Sequence, residues 1–427
     1  MLFKILHEEL QHTRHSMILM GQDSSGLVNG LDKMVETVRL ELPDKDELIE
    51  QLSKIADDES AKLTEDDAIK SADALAGLTE EQARLNIRRV LVLRGRADPD
   101  LLIKAKALTF KEQGILDLMG SDLTLDDVGG CDIAREWLLK RMKAFSPEGK
   151  RFIGRTPKGA IFIGPPGTGK TLISMAIAGS AKLPLLRLDM GKIFGSLVGE
   201  SEQRMREALD MAERAAPCVL QVDEMEKGMA QGDGDGGTTR RVFGKFVTWL
   251  QEKTAPVLVI GTMNSMKGVP PEMFRKGRFD EIFYVDLPQP DERETILRIH
   301  IDRRFKQECG ILPATEYDLQ ALIGDLTHDF SGSELEELVV SSLFDALDDG
   351  VDHVTQEHLV NAAKVTVPLA KTRKEDIDAM REWARTRARF ASSAAAKRLM
   401  GGEKQSKVVA LPPALAGVVR LDDEELN

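Results

Sequence analysis

Cysteine is scarce in this sequence: Cys131, Cys218 and Cys309 are the only three, far apart and without a C-x-x-C pair. That speaks against a disulfide framework or a metal knuckle and fits a reducing cytoplasm. The seven histidines show no H-E-x-x-H or similar ligand spacing, and His12, His15, His353 and His358 read as surface residues. No apolar run approaches the roughly 18 residues that a membrane-spanning helix needs. The opening stretch Met1-Leu-Phe-Lys-Ile-Leu-His-Glu-Glu-Leu10 carries acid too early for a secretory signal. The expected location is the cytoplasm. Excess positive charge is also missing, with a formal net charge of -13 and a pI of about 5.2. Nothing chain-wide therefore attracts a phosphate backbone, which tilts the reading away from nucleic acid without excluding a local basic groove.

Hydrophobic residues at 42% and charged residues at 30% are ordinary for a globular protein, and the length allows about two or three domains. Residues 1–115 read as a small first module. A helix over about 2–14 precedes the apolar run 16–21 and a strand-like alternation at Val35–Pro43, and helical segments follow. From Thr156 the pattern changes to short β-branched runs between helices: Gly159–Gly164, Pro184–Asp189, Cys218–Val222, Val257–Thr262 and Glu281–Asp286. Such alternation predicts an α/β fold with a parallel, doubly wound sheet. This large subdomain is set at 121–288. Residues 289–370 read as a helical lid, in which Ser331-Gly-Ser-Glu334 opens a helix with a capping-box pattern. A C-terminal helix over 371–400 and a flexible tail over 401–427 complete the expected division. Leu40-Glu-Leu-Pro-Asp-Lys-Asp-Glu47 echoes Val285-Asp-Leu-Pro-Gln-Pro-Asp-Glu292, and Leu78-Thr-Glu-Glu-Gln82 echoes the lid-helix start, which we read as a faint internal repeat.

The chemistry is concentrated in four places. Gly164-Pro165-Pro166-Gly167-Thr168-Gly169-Lys170-Thr171 fits G-x-x-x-x-G-K-[ST], after an apolar strand and before a helix beginning at Leu172. Its glycines let backbone N–H groups turn inward around phosphate oxygens. Lys170 supplies charge for the β- and γ-phosphates, and the Thr171 hydroxyl can ligate Mg²⁺. The strand ending in Asp223-Glu224 offers one carboxylate for the metal, Asp223, and one, Glu224, to polarise the attacking water. Asn264, closing the fourth strand, can orient that water against the γ-phosphate. Arg275 and Arg278, three apart around Gly277, can stabilise charge on a transferred phosphoryl group.

With these residues in view, the chain resembles the classic AAA clade of AAA+ ATPases. Its closest resemblance is to the ycf-type subgroup, whose founding member is a reading frame of chloroplast genomes. Leu183-Pro-Leu-Leu-Arg-Leu-Asp189, Val198-Gly-Glu-Ser201, Gly237–Phe243, Thr248-Trp-Leu250 and Arg275–Glu281 carry it, over about 121–390. The resemblance implies a core sheet ordered 5-1-4-3-2, ATP and Mg²⁺ as cofactors, and Arg275 and Arg278 acting as paired arginine fingers. It also implies adenine-side contacts from Asp127, Val128 and Gly129 and lid contacts from Gly332 and Ser333. Residues 1–115 resemble the subgroup's degenerate first half loosely. They begin midway through it, without a P-loop or an Asp-Glu pair, so they should bind no nucleotide and should either pack on the main domain or mark a natural truncation. Leu197 occupies the place where many substrate-threading relatives carry an aromatic, and the loop at 228–237 is rich in glycine and acid.

The function expected from all this is an ATP-hydrolysing oligomeric machine, a ring read as a hexamer, that remodels a protein or protein complex. The alternatives are a nucleic-acid motor or loader on the same fold and an ATP-gated scaffold with slow turnover. The acidic balance counts against the first, and Glu224 with both arginines counts against the second.

Overall fold

The computed structural model describes residues 42–111, 116–119, 123–194, 200–228, 238–266, 269, 271–275, 277–310 and 317–400. The expected helix at 2–14, the run at 16–21, the strand-like stretch before Pro43, Leu197, nearly all of the acidic glycine loop and the 401–427 tail lie outside these.

Among the described residues four helices come first: α1 (Lys45–Asp58), α2 (Glu65–Leu75), α3 (Glu80–Arg94) and α4 (Pro99–Lys111). Their starts are written locally. Asp44 caps α1 in a reciprocal box with Glu47, and Thr79 caps α3 with Gln82, so exposed N–H groups at each start find side-chain acceptors. A short strand, β1 (Asp117–Met119), leads into the sheet, and α5 (Asp132–Met142) precedes its centre.

The five apolar runs then appear as strands: β2 (Gly159–Ile163), β3 (Leu185–Asp189), β4 (Cys218–Asp223), β5 (Val257–Met263) and β6 (Glu281–Tyr284). Between them stand α6 (Lys170–Ser180), α7 (Glu200–Arg214) and α8 (Thr238–Glu252). The seven-stranded order is β1-β3-β4-β5-β2-β6-β7, where β7 is Arg389–Phe390. The five central strands run parallel in the expected order, and among the described strands only β1 is antiparallel, against β3. Every residue of β2 and β5 is buried. Burial on both faces explains why these strands read as continuous apolar runs. One face packs Ile161, Leu186, Leu220 and Val259 with α7, α8 and the N-terminal helices. The other packs Ala160, Phe162, Val219 and Ile260 with α5 and α6.

The N-terminal helices share the first of these cores. Leu48, Leu75, Leu78 and Leu102 are among its buried residues, and Lys106 reaches across the junction to donate to the carbonyls of Ala76 (2.5 Å) and Ala216 (2.8 Å). Among the described residues of 1–115, packing on the main sheet is the arrangement found.

Beyond β6 lie α9 (Pro290–Ile301), α10 (Gly332–Asp348) and α11 (Gln356–Val365), which enclose a separate core around Leu297, Phe305, Leu338 and Leu359. Helix α10 carries the expected capping box from Ser331 and Glu334. Two expectations change here. The single helix over 371–400 is broken: α12 (Lys374–Arg387) ends at the extended Ala388, β7 pairs with Phe283 and Tyr284 of β6, and α13 (Ser393–Met400) follows. Phe390 is the cause, since leaving the helix buries it against Tyr284 in an edge-on contact. His358 is not a surface residue. It is buried in the first turn of α11, where its ring accepts from the Thr355 N–H (3.1 Å) and meets Asp349 (3.0 Å).

Candidate active site

Three strand ends, those of β2, β4 and β5, supply the site, at the carboxyl edge where open parallel sheets bind ligands. The turn after β2 places Gly167 at φ +78° and Gly169 at φ +83°, both in the left-handed region. Gly164 meets a different demand, because a Cβ there would lie 2.0 Å from the Val285 carbonyl oxygen. Within this turn Lys170 is buried, and its ammonium donates to the carbonyls of Gly164 (2.9 Å) and Pro165 (2.6 Å). Burial lowers its pKa to about 8, while Glu226 and Asp223 pull in the other direction. The Thr168 hydroxyl closes the turn on Pro165 (2.9 Å), and Ser174 in α6 donates to Gln221 of β4 (2.7 Å). The P-loop helix and the acidic strand are thereby tied together.

Asp223 ends β4 with both oxygens engaged: Thr262 donates its hydroxyl to one (2.5 Å), and Arg187 of β3 donates to the other (2.9 Å). Glu224 follows in the left-handed region at φ 49°, a strained conformation for a residue with a side chain. Its N–H donates to Thr262 (3.2 Å), and its carboxylate pairs with Lys227. The Asn264 N–H donates to the Glu226 carboxylate (3.0 Å), whose pKa burial raises.

A cavity of about 540 Å³ gathers these groups. Of the residues expected from sequence, Asp127, Val128, Gly129, Pro166, Gly167, Thr168, Gly169, Lys170, Thr171, Leu172, Asp223, Glu224, Asn264, Gly332 and Ser333 line it. Gly164 and Pro165 do not; they form the floor that Lys170 grips. The lid reaches the site through the Ser333 N–H, which donates to the Gly167 carbonyl (3.0 Å). On the far wall Gly129 meets α9 so closely that a Cβ would lie 2.5 Å from the Ile296 side chain.

Arg275 and Arg278 stand apart from the cavity lining, exposed and half-buried respectively. Among the described residues neither has a hydrogen bond or an ion pair. The nearby carboxylates are taken: Asp280 accepts the backbone N–H groups of Lys158 (2.7 Å) and Gly159 (3.1 Å), and Glu281 lies 3.8 Å from Arg389. Lys158 also donates from its side chain to the carbonyls of Gly277 (2.6 Å) and Gln251 (3.0 Å), fixing the arginine loop to the base of β2.

Sequence reasoning missed Arg187, Thr262, Glu226 and, from the lid, Arg303 and Glu336. The available signal was a charged side chain at Arg187 between the leucines of β3. Cys131 and Cys218 contribute no chemistry, since burial pushes both thiols up to about 12.

The residues present fit a magnesium–nucleotide pair. The donors available to a cation, the Thr171 hydroxyl and the Asp223 carboxylate, are hard oxygens. One protein carboxylate with substrate phosphates is how Mg²⁺ is usually held. Among the described residues no helix is long and apolar enough to cross a membrane.

Comparison with known proteins agrees. The family model described as "ATPase family associated with various cellular activities (AAA)" matches residues 160–287. An uncharacterized AAA domain-containing protein ycf46 of Pyropia yezoensis is 36% identical over 359 residues, covering 83% of this chain and 72% of that protein. The ATP-dependent zinc metalloprotease FtsH 2 of Methylacidiphilum infernorum is 34% identical over 249 residues, covering 56% of this chain and 37% of that one. Among solved structures, the FIGL-1 AAA domain aligns with a TM-score of 0.52 at 23% identity, over 66% of this chain and 95% of that one, a likeness of fold alone.

Proposed function

The chain belongs to the AAA ATPases, among the ycf46 AAA domain-containing proteins, and on that premise we propose that it hydrolyses ATP with Mg²⁺ as a ring and uses the cycle to remodel a protein or protein complex. The observation that carries this reading is a division of parts. Lys170, Thr171, Asp223, Glu224 and Asn264 meet at one cavity, while Arg275 and Arg278 stay outside it without partners among the described residues.

Backbone N–H groups of the P-loop and the start of α6 face the phosphates, where the helix end favours negative charge. Lys170 gives up its carbonyl partners for β- and γ-phosphate oxygens. Thr171 and Asp223 would hold the metal, which when bound would neutralise triphosphate charge. Glu224 takes a proton from the attacking water, and Asn264 fixes that water's line of approach. The arginine loop follows β5 and leads into β6, away from its own cavity, so its guanidinium groups serve a neighbour's γ-phosphate. A head-to-tail contact of that kind closes into a ring when the rotation per subunit allows it; a hexamer is the closure we propose. Protein remodelling suits the acidic balance of the chain and the membership of the family.

The test mixes Lys170→Ala subunits with Arg278→Ala subunits, each inactive alone. Arginine action in trans predicts recovered ATPase activity in co-assembled mixtures. Activity independent of protein concentration in a proven monomer would eliminate the ring, and a wild-type chain that hydrolyses no ATP would eliminate the whole reading.

A further inference from the structure

Arg187 stands in β3 between the buried Leu186 and Leu188, opposite Gln221 of β4. Its Nη2 donates to Asp223 Oδ2 at 2.9 Å, and its Nε is buried without an acceptor among the described residues. It lines the same cavity as Lys170, Thr171 and Glu224. Both oxygens of the Asp223 carboxylate are thus engaged, with Thr262 on one and Arg187 on the other. A structural role alone explains this poorly, because an apolar residue would complete the strand without placing a charge in the site.

We propose that Arg187 is a positioning residue that shares Asp223 with the divalent cation and lends the site a second fixed positive charge beside Lys170. The inference rests on the nucleotide-site reading above. Its physical content is a competition. A cation arriving at Asp223 must share or displace the guanidinium, and two positive groups on one carboxylate repel each other. When the cation is absent, the guanidinium stays beside the phosphates and offsets part of their charge. Arg187 therefore narrows the gap between the affinities for metal-free and metal-bound nucleotide. The arginine fingers cannot do this in the same subunit, since neither lines the cavity.

The experiment measures the Kd of full-length protein for a fluorescent ATP analogue, once with excess Mg²⁺ and once with a chelator. The readout is the ratio of the metal-free to the Mg²⁺ value. Arg187→Ala and Arg187→Gln should each raise that ratio about tenfold or more, as expected for losing a charge-assisted contact. Arg187→Lys keeps the charge and should stay within about threefold of wild type. A purely structural role would weaken both affinities by one factor and leave the ratio unchanged, which would overturn the proposal. Arg187→Lys behaving like Arg187→Ala would overturn it as well, because charge would then not be the agent. A wild-type chain that binds the analogue in neither buffer would defeat the nucleotide-site reading itself, and an unchanged ratio in a binding-competent variant defeats only the inference.

Discussion

The N-terminal helices α1–α4 and the lid helices α9–α11 begin from the same local instructions and end in different employment. Asp44 with Glu47 and Thr79 with Gln82 cap the first set, while Gln289 with Glu292 and Ser331 with Glu334 cap the second. The boxes at Asp44, Thr79 and Ser331 satisfy N–H groups from both directions, and at Gln289 the Glu292 carboxylate accepts the cap N–H, so the starts are decided locally. Docking separates them. The lid keeps a core of its own and touches the P-loop through the Ser333–Gly167 bond. The N-terminal helices share the core of the sheet and are tied further by Asp100–Lys182 (2.9 Å), and β1 beside them by Asp117–Lys192 (2.7 Å). A unit with a separate core can pivot as a body. One that shares a core can move only by unpacking it. The faint repeat in the sequence thus marks similar helices, and their contacts decide which one serves the nucleotide.

The largest effect that tests this contrast falls on the cavity side. Glu224→Gln should keep nucleotide binding and lower turnover by about 10²–10⁴-fold, the usual contribution of a general base. Single-turnover hydrolysis with a binding titration measures both. Turnover within a few-fold of wild type would remove Glu224 from the chemistry and weaken the case that the lid side holds all of it.

A matched pair of glycines tests the contrast more finely. Gly167 lies at the lid junction at φ +78°, where a Cβ would come within 2.8 Å of the Ser331 hydroxyl oxygen. Gly77 lies at the N-terminal junction at φ +89°, where a Cβ would lie 2.6 Å from the backbone carbonyl oxygen of Arg214. Positive φ costs an L-residue about 1–2 kcal/mol before any clash. Gly167→Ala should weaken nucleotide binding about tenfold. Gly77→Ala should lower stability by about 1–3 kcal/mol with the nucleotide Kd within about twofold of wild type. Denaturant midpoints and Kd values for both variants decide it, and equal losses of affinity would mean that the two junctions are coupled.

What could be read in advance follows from how each feature is encoded. The P-loop, Asp223-Glu224 and Asn264 are contiguous with long apolar strands, so pattern and chemistry reinforce each other. The strand order was available once those motifs were assigned to a family. Strands β1 and β7 have three and two residues, too few for any periodicity, and exist through their partners. Arg187, Thr262, Arg303 and Glu336 reach the cavity singly from separate elements, and Glu226 stands behind it as acceptor of the Asn264 N–H. Only tertiary packing assembles them. His358 misled because its place as the reciprocal partner in a capping box is not the usual glutamate or glutamine.

The smallest effect concerns the two buried lysines that mark the two junctions. Lys170 and Lys106 each donate to a pair of backbone carbonyls, and burial lowers each to about 8. Lys170 lines the proposed nucleotide cavity, whereas Lys106 lies at the N-terminal junction away from it. Its titration should therefore appear in stability and not in nucleotide binding. The unfolded chain keeps the Lys106 proton up to about 10.5, while the folded chain releases it near 8. Between those values the unfolded state binds more protons, so stability rises with pH; below about 8 the cost of burying the ammonium is carried in full. The neutral amine retains two hydrogens for the Ala76 and Ala216 carbonyls, so the junction survives the loss of charge. Lys106→Met removes this group. Lys170 and Lys253, also lowered to about 8, contribute equally to both proteins and cancel in the difference. Unfolding free energies from pH 7.5 to 10 should show wild type gaining about 1–3 kcal/mol on Lys106→Met across that interval. Nucleotide Kd values should be the same for the two proteins at each pH. Parallel stability profiles would mean that Lys106 keeps an ordinary pKa, and a Kd that followed the Lys106 titration would join the two junctions that the structure holds apart.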